Sequence, residues 1–375
     1  ADKKLLFVIT QPVVGGAQKY VFDLARHFNQ SGQYEVAAAI GGSPAGYLFE
    51  ALTKENVKTI PVKNLSRNIS VVGDLKTFFE LIKIFRKERP DIIHLNSSKI
   101  GLIGSLAAFF SKLITNNYKP KTIFTAHGWI FKEDLPVWKK KLAVFLERKA
   151  ALFKDRVICV SQDDFDQALT HKIAPPRKIY VIHNAVGETK FLSPKNARAE
   201  VGRMIGREIS DDVFIITNLG RLYANKGLNY LIEAVQETRD KIPNAILIIF
   251  GDGPERENLK SQISNLKLAD SVFLAGDVPE VAKYLVAFDA LALSSTKEGR
   301  PYSILEAGLA GVPVITTDVG GIVEVIKNGE TGILVEPKNS QALTEAILEL
   351  ASDRELAKKL TRGLKKTVTQ KFSFE

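Results

Sequence analysis

Short runs of β-branched and aliphatic residues recur along the whole chain, and between them the apolar positions fall three to four apart. LLFVIT, YEVAAAI, VKTIPV, DIIHLN, KTIFTA, RVICVS and KIYVIH occupy the first half, and VFIITNLG, AILIIFG, SVFLAG, ALALSS, VPVITT and TGILVE the second. Continuous apolarity, rather than alternation, marks strands buried on both faces, and the spacing leaves room for a helix after each. Parallel sheets with right-handed crossovers follow. The periodicity lapses near VIHNAVGETKFLSP, so two doubly wound α/β domains are expected, residues 1–185 and 186–375. Ligands of such folds gather at the carboxyl ends of the strands, so the site is expected in a cleft between the two domains. No repeat, low-complexity tract or Pro-rich linker interrupts the pattern.

Composition narrows the class. The 375 residues are 45% apolar and 25% charged, ordinary for a soluble protein of this length. The longest apolar region, GLIGSLAAFFSKLI, is too short to span a bilayer, and ADKKLLFVIT lacks the order of a signal peptide. The single cysteine, Cys159, lies inside RVICVS, which excludes a disulfide framework and reads as packing in a reducing, cytoplasmic compartment. Charge changes the picture more. Residues 1–185 carry 28 Lys and Arg against 16 Asp and Glu, whereas residues 186–375 carry 24 against 26, so the net charge of +10 belongs to the first half. A basic half suits nucleic acid, an anionic leaflet or a phosphorylated substrate, and the motifs must choose.

In KEGRPYSILEAGLAGVP two carboxylates, Glu298 and Glu306, stand eight positions apart where a strand gives way to a helix. One reading is a capping box, with Ser303 at the N-cap and Glu306 at the third helical position. The other is an anion site, in which the amides of a helix start opened by Gly299 and Pro301 face phosphate while the carboxylates take sugar hydroxyls. Arg221 and Lys226, in NLGRLYANKG, follow a strand end, where two cations can neutralise a diphosphate or simply be solvated. Gly15 and Gly16 precede a helix and allow close backbone approach to phosphate, without the G-x-G-x-x-G spacing of a dinucleotide fold. GDGP, residues 251–254, is either a turn after a strand or the wall of a binding loop, the turn being its minimal role. Asp164-Phe165-Asp166 reads as a helix start capped by Ser161 rather than a metal site.

Taken together these segments resemble the retaining, nucleotide-sugar-dependent glycosyltransferases of family 4, which have the GT-B fold of two Rossmann-like domains. The resemblance covers nearly the whole chain: GGAQ, TAHG, VSQ, GRLYANKG, FGDGPE, the pair Glu298 and Glu306 bracketing GRPYSIL, then EAGLAGVPVITTDVGG and NGETGILVEP, all in family order. It implies that Arg221 and Lys226 bind the donor diphosphate in place of an essential metal, helped by Gly15, Gly16 and the amides around Ser303, Ile304 and Leu305. By the same resemblance Glu306 accepts ribose hydroxyls, Glu298 lies beside the transferred sugar, and Val278 and Pro279 border a base, most commonly uridine. His127 then contacts the sugar near its anomeric carbon, the departing phosphate taking the acceptor proton. His27, His94, His171 and His183 receive no role. Family chains also continue past FSFE into a further helix.

HLNSSKIG and TAHGWIF are similar to the members that build capsule, O-antigen or glycoprotein-linked glycans on a polyprenyl diphosphate carrier, which implies Asn96 and Lys99 on the acceptor side. The segment PVWKKKLAVFLERKAALFK, residues 136–154, sets Trp138, Leu142, Phe145 and Leu152 at helical spacing among cations. It is either a core helix with a solvated basic face or a helix lying on an anionic membrane surface, as a peripheral protein of the inner face would have. A nucleotide-sugar epimerase of the same fold is the rival enzyme. A nucleic-acid binder would explain the basic half but not the ordered set of Arg221, Lys226, Glu298 and Glu306.

Overall fold

A computed structural model describes residues 3–44, 46–133, 135–187 and 189–374. The chain divides into two compact units, Ala1–His183 and Asn184–Glu375. All thirteen expected strands form. In the first unit they are β1 (Lys3–Ile9), β2 (Tyr34–Gly41), β3 (Lys58–Val62), β4 (Ile92–Asn96), β5 (Lys121–Ala126), β6 (Arg156–Cys159) and β7 (Ile179–Val181), in the spatial order β3-β2-β1-β4-β5-β6-β7. Its helices are α1 (Gly16–Gln30), α2 (Tyr47–Lys54), α3 (Val71–Glu88), α4 (Ser98–Ile114), α5 (Val137–Ala151) and α6 (Gln162–Thr170). Every pairing is parallel, and Val8, Ile93, Leu95 and Val157 are wholly buried because helices cover both faces of the sheet.

The second unit repeats the plan with β8 (Ile215–Leu219), β9 (Ile246–Phe250), β10 (Val272–Gly276), β11 (Ala290–Leu293), β12 (Val314–Thr317) and β13 (Ile333–Val335), ordered β10-β9-β8-β11-β12-β13. Helices α7 (Pro194–Met204), α8 (Leu228–Arg239), α9 (Arg256–Asn265), α10 (Tyr302–Ala310), α11 (Ser340–Ser352) and α12 (Arg354–Lys371) flank it. In both sheets the chain reverses its direction of travel once, between β1 and β4 in the first unit and between β8 and β11 in the second. Loops diverge at such a switch point and leave a crevice at the carboxyl ends of the strands.

Two local expectations fail. The core-helix reading of residues 136–154 fails as to the face: α5 packs on the core through Ala143, Val144 and Ala151 and buries Glu147 and Ala150, while Trp138 is 63% exposed, Phe145 53% and Leu152 68%. The stripe that meets the sheet is made of small residues, which let the helix sit close. Glu147 follows them inward because Lys154 is buried beside it: the ammonium lies 3.1 Å from Glu147 Oε2 and 3.8 Å from the centre of the Phe124 ring. The capping box also fails. Pro301 is the N-cap of α10 and no side chain caps the helix, so Ser303 is its second residue and Glu306 its fifth. Proline's fixed φ starts the helix earlier than serine would. The reading of Asp164-Phe165-Asp166 as a helix start agrees with the geometry: Ser161 Oγ accepts from the Asp164 amide at 3.1 Å, and Lys132 pairs with both Asp163 and Asp164. Cys159 is fully buried in β6, and burial pushes its thiol pKa up.

Candidate active site

The switch point of the second unit gathers the expected donor-side residues. Lys226 ends a short 3-10 turn after β8, and its Nζ lies 2.5 Å from Glu298 Oε1, which also accepts from Ser295 Oγ at 2.7 Å. The two loops can meet only because residue 227 is glycine. Its φ is +57°, and a Cβ there would stand 2.2 Å from the Ser294 carbonyl oxygen. Arg221 reaches the other way, its Nη1 3.2 Å from Asp277 Oδ2, so it stands at the head of the loop that carries Val278 and Pro279. GDGP is more than a turn. Gly251 (φ +128°) would place a Cβ 2.0 Å from the Gly220 carbonyl, and the Leu222 amide donates to the Asp252 carbonyl at 3.1 Å, so this loop is the wall that holds Arg221 in place.

Helix α10 begins behind Glu298. With Pro301 at the N-cap and no side-chain cap, the Ser303 and Ile304 amides lie ahead of the first turn's closure, while the Leu305 amide is the first that can close onto a carbonyl within the helix. Of the three amides expected to face the phosphate, that of Leu305 is therefore the one the helix itself can use. Glu306 is buried, 8% exposed. Between the two glutamates sits a residue that sequence reasoning passed over: Arg300, 4% exposed, ion-pairs with Glu324, and its guanidinium carbon lies 4.6 Å from the centre of the Phe372 ring. Its carbonyl accepts from Asn184 Nδ2 at 3.0 Å, and the Val186 amide donates to the Phe372 carbonyl at 2.8 Å. Arg300 thus ties the Glu298 loop to both ends of the unit, through its carbonyl to Asn184 and its guanidinium to Phe372. A cation inside an otherwise apolar and glycine-rich bracket was the available signal.

At the switch point of the first unit, α1 starts at Gly16 with extended Gly15 as N-cap and no side-chain cap, so its first amides are likewise uncapped by a side chain. Asn96 ends β4 and His127 follows β5, with His127 Nε2 3.4 Å from Asn96 Oδ1. Asn96 is fully buried and its Nδ2 donates to the His94 carbonyl at 3.0 Å, so it orients His127 and does not itself present a surface to an acceptor. Beneath them lies a cluster that was missed: His94 Nε2 is 2.7 Å from Thr125 Oγ1, and Tyr20 Oη is 3.2 Å from the same hydroxyl while its ring meets His127 edge-on at 4.9 Å. The legible signal was the period-two pairing of HLN with TAH on adjacent strands. Burial lowers the His127 pKa to about 4 and, aided by His127 nearby, that of His94 to about 3, so both rings are neutral at pH 7. Lys99 is committed elsewhere. Its ammonium is 2.5 Å from Asp74 Oδ1 and donates to the carbonyls of Ser66 and Asn68 at 2.8 and 2.6 Å, so an acceptor phosphate would have to break three contacts to reach it.

Residues 14–189 match the profile of Glycosyltransferase Family 4, and residues 206–367 that of Glycosyl transferases group 1. The chain is 30% identical over 305 residues to the Escherichia coli UDP-Gal:alpha-D-GlcNAc-diphosphoundecaprenol alpha-1,3-galactosyltransferase, covering 80% of this chain and 77% of that one. The Staphylococcus aureus capsular polysaccharide biosynthesis glycosyltransferase CapM is 29% identical over 337 residues, 88% and 85% of the two chains. The chain is a family 4 glycosyltransferase. Its fold is also that of Anabaena HepE, solved in complex with UDP and glucose, with a TM-score of 0.82 at 22% identity over 99% of this chain and 96% of that one. In this glycosyltransferase, then, Arg221, Lys226, Glu298, Ser303, Ile304 and Glu306 cluster around one switch point, and Gly15, Gly16, Asn96 and His127 around the other. Among the described residues no group of three His, Cys, Asp or Glu side chains could hold a metal ion.

Proposed function

We propose that this glycosyltransferase moves a hexose or N-acetylhexosamine from a UDP-sugar to a glycan or polyprenyl-diphosphate-linked acceptor, retaining the anomeric configuration, with no essential metal, at an anionic membrane surface. The observation that carries the reading is Lys226 held by Glu298 and Ser295, with Arg221 on the same loop and the uncapped start of α10 behind. Two fixed cations and a set of helix-start amides form an environment for a leaving diphosphate, stabilising the charge that grows as the anomeric C–O bond breaks. They would do the work a divalent ion does elsewhere. Glu306 would accept the ribose hydroxyls, the loop of Val278 and Pro279 would border the uracil, and Gly15 and Gly16 would offer amides to the phosphates.

Glu298 would stand beside the sugar. His127, neutral at pH 7 and turned by Asn96, would offer the sugar a hydrogen bond rather than a charge. The acceptor oxygen bonds to the anomeric carbon on the face the diphosphate leaves, and its proton passes to the departing phosphate oxygen. The lipid-linked acceptor is supported by the name of the E. coli relative, which specifies a diphosphoundecaprenol, and by the capsular role in that of CapM. The test is a calorimetric screen of nucleoside diphosphates and their sugars in EDTA on wild type and Glu306→Ala. Saturable binding of UDP, weakened in the variant, is the expected result, and indifference to every nucleotide would overturn the donor site. Sugar interconversion without an acceptor would instead favour an epimerase.

A further inference from the structure

The outer side of one helix layer in the first unit is apolar. Of the nineteen large hydrophobic side chains that are exposed among the described residues, fifteen lie at residues 69–79, 109–114 or 137–152. They belong to α3 and its approach, to α4 and to α5 with the residue after it, and these helices are neighbours: Phe78 on α3 meets Phe110 on α4 at 5.5 Å between ring centres, and Phe109 meets Phe153 beyond α5 at 4.8 Å. Val71 is 84% exposed, Leu113 64% and Trp138 63%. A patch of this extent on a water-soluble surface marks a docking site.

Its charge selects the occupant. The three helices contain four carboxylates, and each is turned to a partner inside the fold: Asp74 to Lys99, Glu80 to the amides of Lys63 and Asn64, Glu88 to Lys58 and Glu147 to Lys154. The surface of α5 keeps Lys139, Lys141, Arg148 and Lys149 exposed, and the helix's one acid, Glu147, is buried against Lys154. Apolar side chains ringed by unbalanced cations fit an anionic lipid surface, and among the described residues no helix is long and apolar enough to cross a bilayer.

We propose that the α3–α4–α5 layer lies on an anionic membrane leaflet, with Trp138, Phe110 and Val71 immersed at its interface. Lys99 then has a role in place of the acceptor contact expected of it: bound to Asp74 and to the carbonyls of Ser66 and Asn68, it pins the apolar approach to α3 at the carboxyl edge of the sheet. That is the edge on which His127 and Asn96 stand, so the docked face adjoins the switch point of the first unit. The inference deepens the lipid-linked-acceptor reading, and its test involves no sugar transfer, so either can fail without the other.

Two tryptophans make the test specific. Trp129 is 1% exposed and Trp138 63%, so a fluorescence change on adding vesicles reports Trp138. With vesicles containing about a third phosphatidylglycerol, wild type should show a blue shift and co-float, and neither should occur with pure phosphatidylcholine. Val71→Glu, Leu113→Glu and Leu142→Glu, one from each helix at exposed positions, should each weaken binding at least tenfold with unchanged UDP affinity. Wild type that ignores anionic vesicles, or variants that bind as well as wild type, would overturn the proposal. So would a dimer in solution that the same three substitutions dissociate, because the patch would then belong to a second copy.

Discussion

The ammonium of Lys226 is neutralised by Glu298, and this sets a prediction that a simple list of donor-binding residues would get backwards. The pair is largely withdrawn from solvent, with side chains 20% and 10% exposed, and its separation is 2.5 Å. A diphosphate that recruits Lys226 must share or break that contact. Glu298→Gln removes the charge while keeping the volume and the oxygen that accepts from Ser295. A pair intermediate between exposed and buried is worth about 1–2 kcal/mol, so the variant should lose about that much stability. The same free energy no longer opposes the ligand, and UDP should bind about 5–30-fold more tightly. On the proposed reading, in which Glu298 stands beside the sugar, transfer should fall. Isothermal titration with UDP and turnover with a UDP-sugar measure the two effects on one preparation. Unchanged or weaker UDP binding by a folded Glu298→Gln protein would refute the reasoning, because it would mean that Lys226 does not face the diphosphate.

Gly227→Ala should cost about 3 kcal/mol in urea unfolding of the second unit, combining left-handed strain with the collision at Ser294, whereas Gly329→Ala, at φ +71° with nothing within 4 Å, should cost only about 1 kcal/mol. If the two cost the same, the close approach of the Lys226 and Glu298 loops is not what residue 227 protects. Arg300→Leu should destabilise by about 2 kcal/mol by removing the ion pair with Glu324, and a double-mutant cycle with Glu324→Gln should show coupling; additive losses would place the cost in the lost stacking on Phe372. The unfolded chain takes up protons on His94 and His127 near pH 6.5, the folded one only near pH 3 and 4. Their contribution to stability is therefore complete above pH 6.5 and lost as pH falls toward 4 and below, so the acid slope of the melting temperature should flatten in a His94→Gln variant. An unchanged slope would show that His94 is not held neutral by the fold.

How much was legible from the chain alone follows from which interactions are local. Strands covered on both faces must be apolar at every position, so all thirteen stood out as continuous runs, and their spacing dictated helical crossovers and hence parallel sheets. The family segments carried Arg221, Lys226, Glu298 and Glu306, since a loop that follows a strand at a switch point is short enough to hold its chemistry in one stretch. What escaped depends on contacts between distant residues. Arg300 is defined by Asn184, Glu324 and Phe372, none within twenty residues of it, and Asn96 and Lys99 changed roles once His94, Asp74 and Ser66 were beside them. Periodicity told that α5 has an apolar stripe but not which side meets the sheet. There only the packing decides, because small residues and a buried ion pair allow closer approach than Trp138 and Phe145, and the larger side chains were left on the surface.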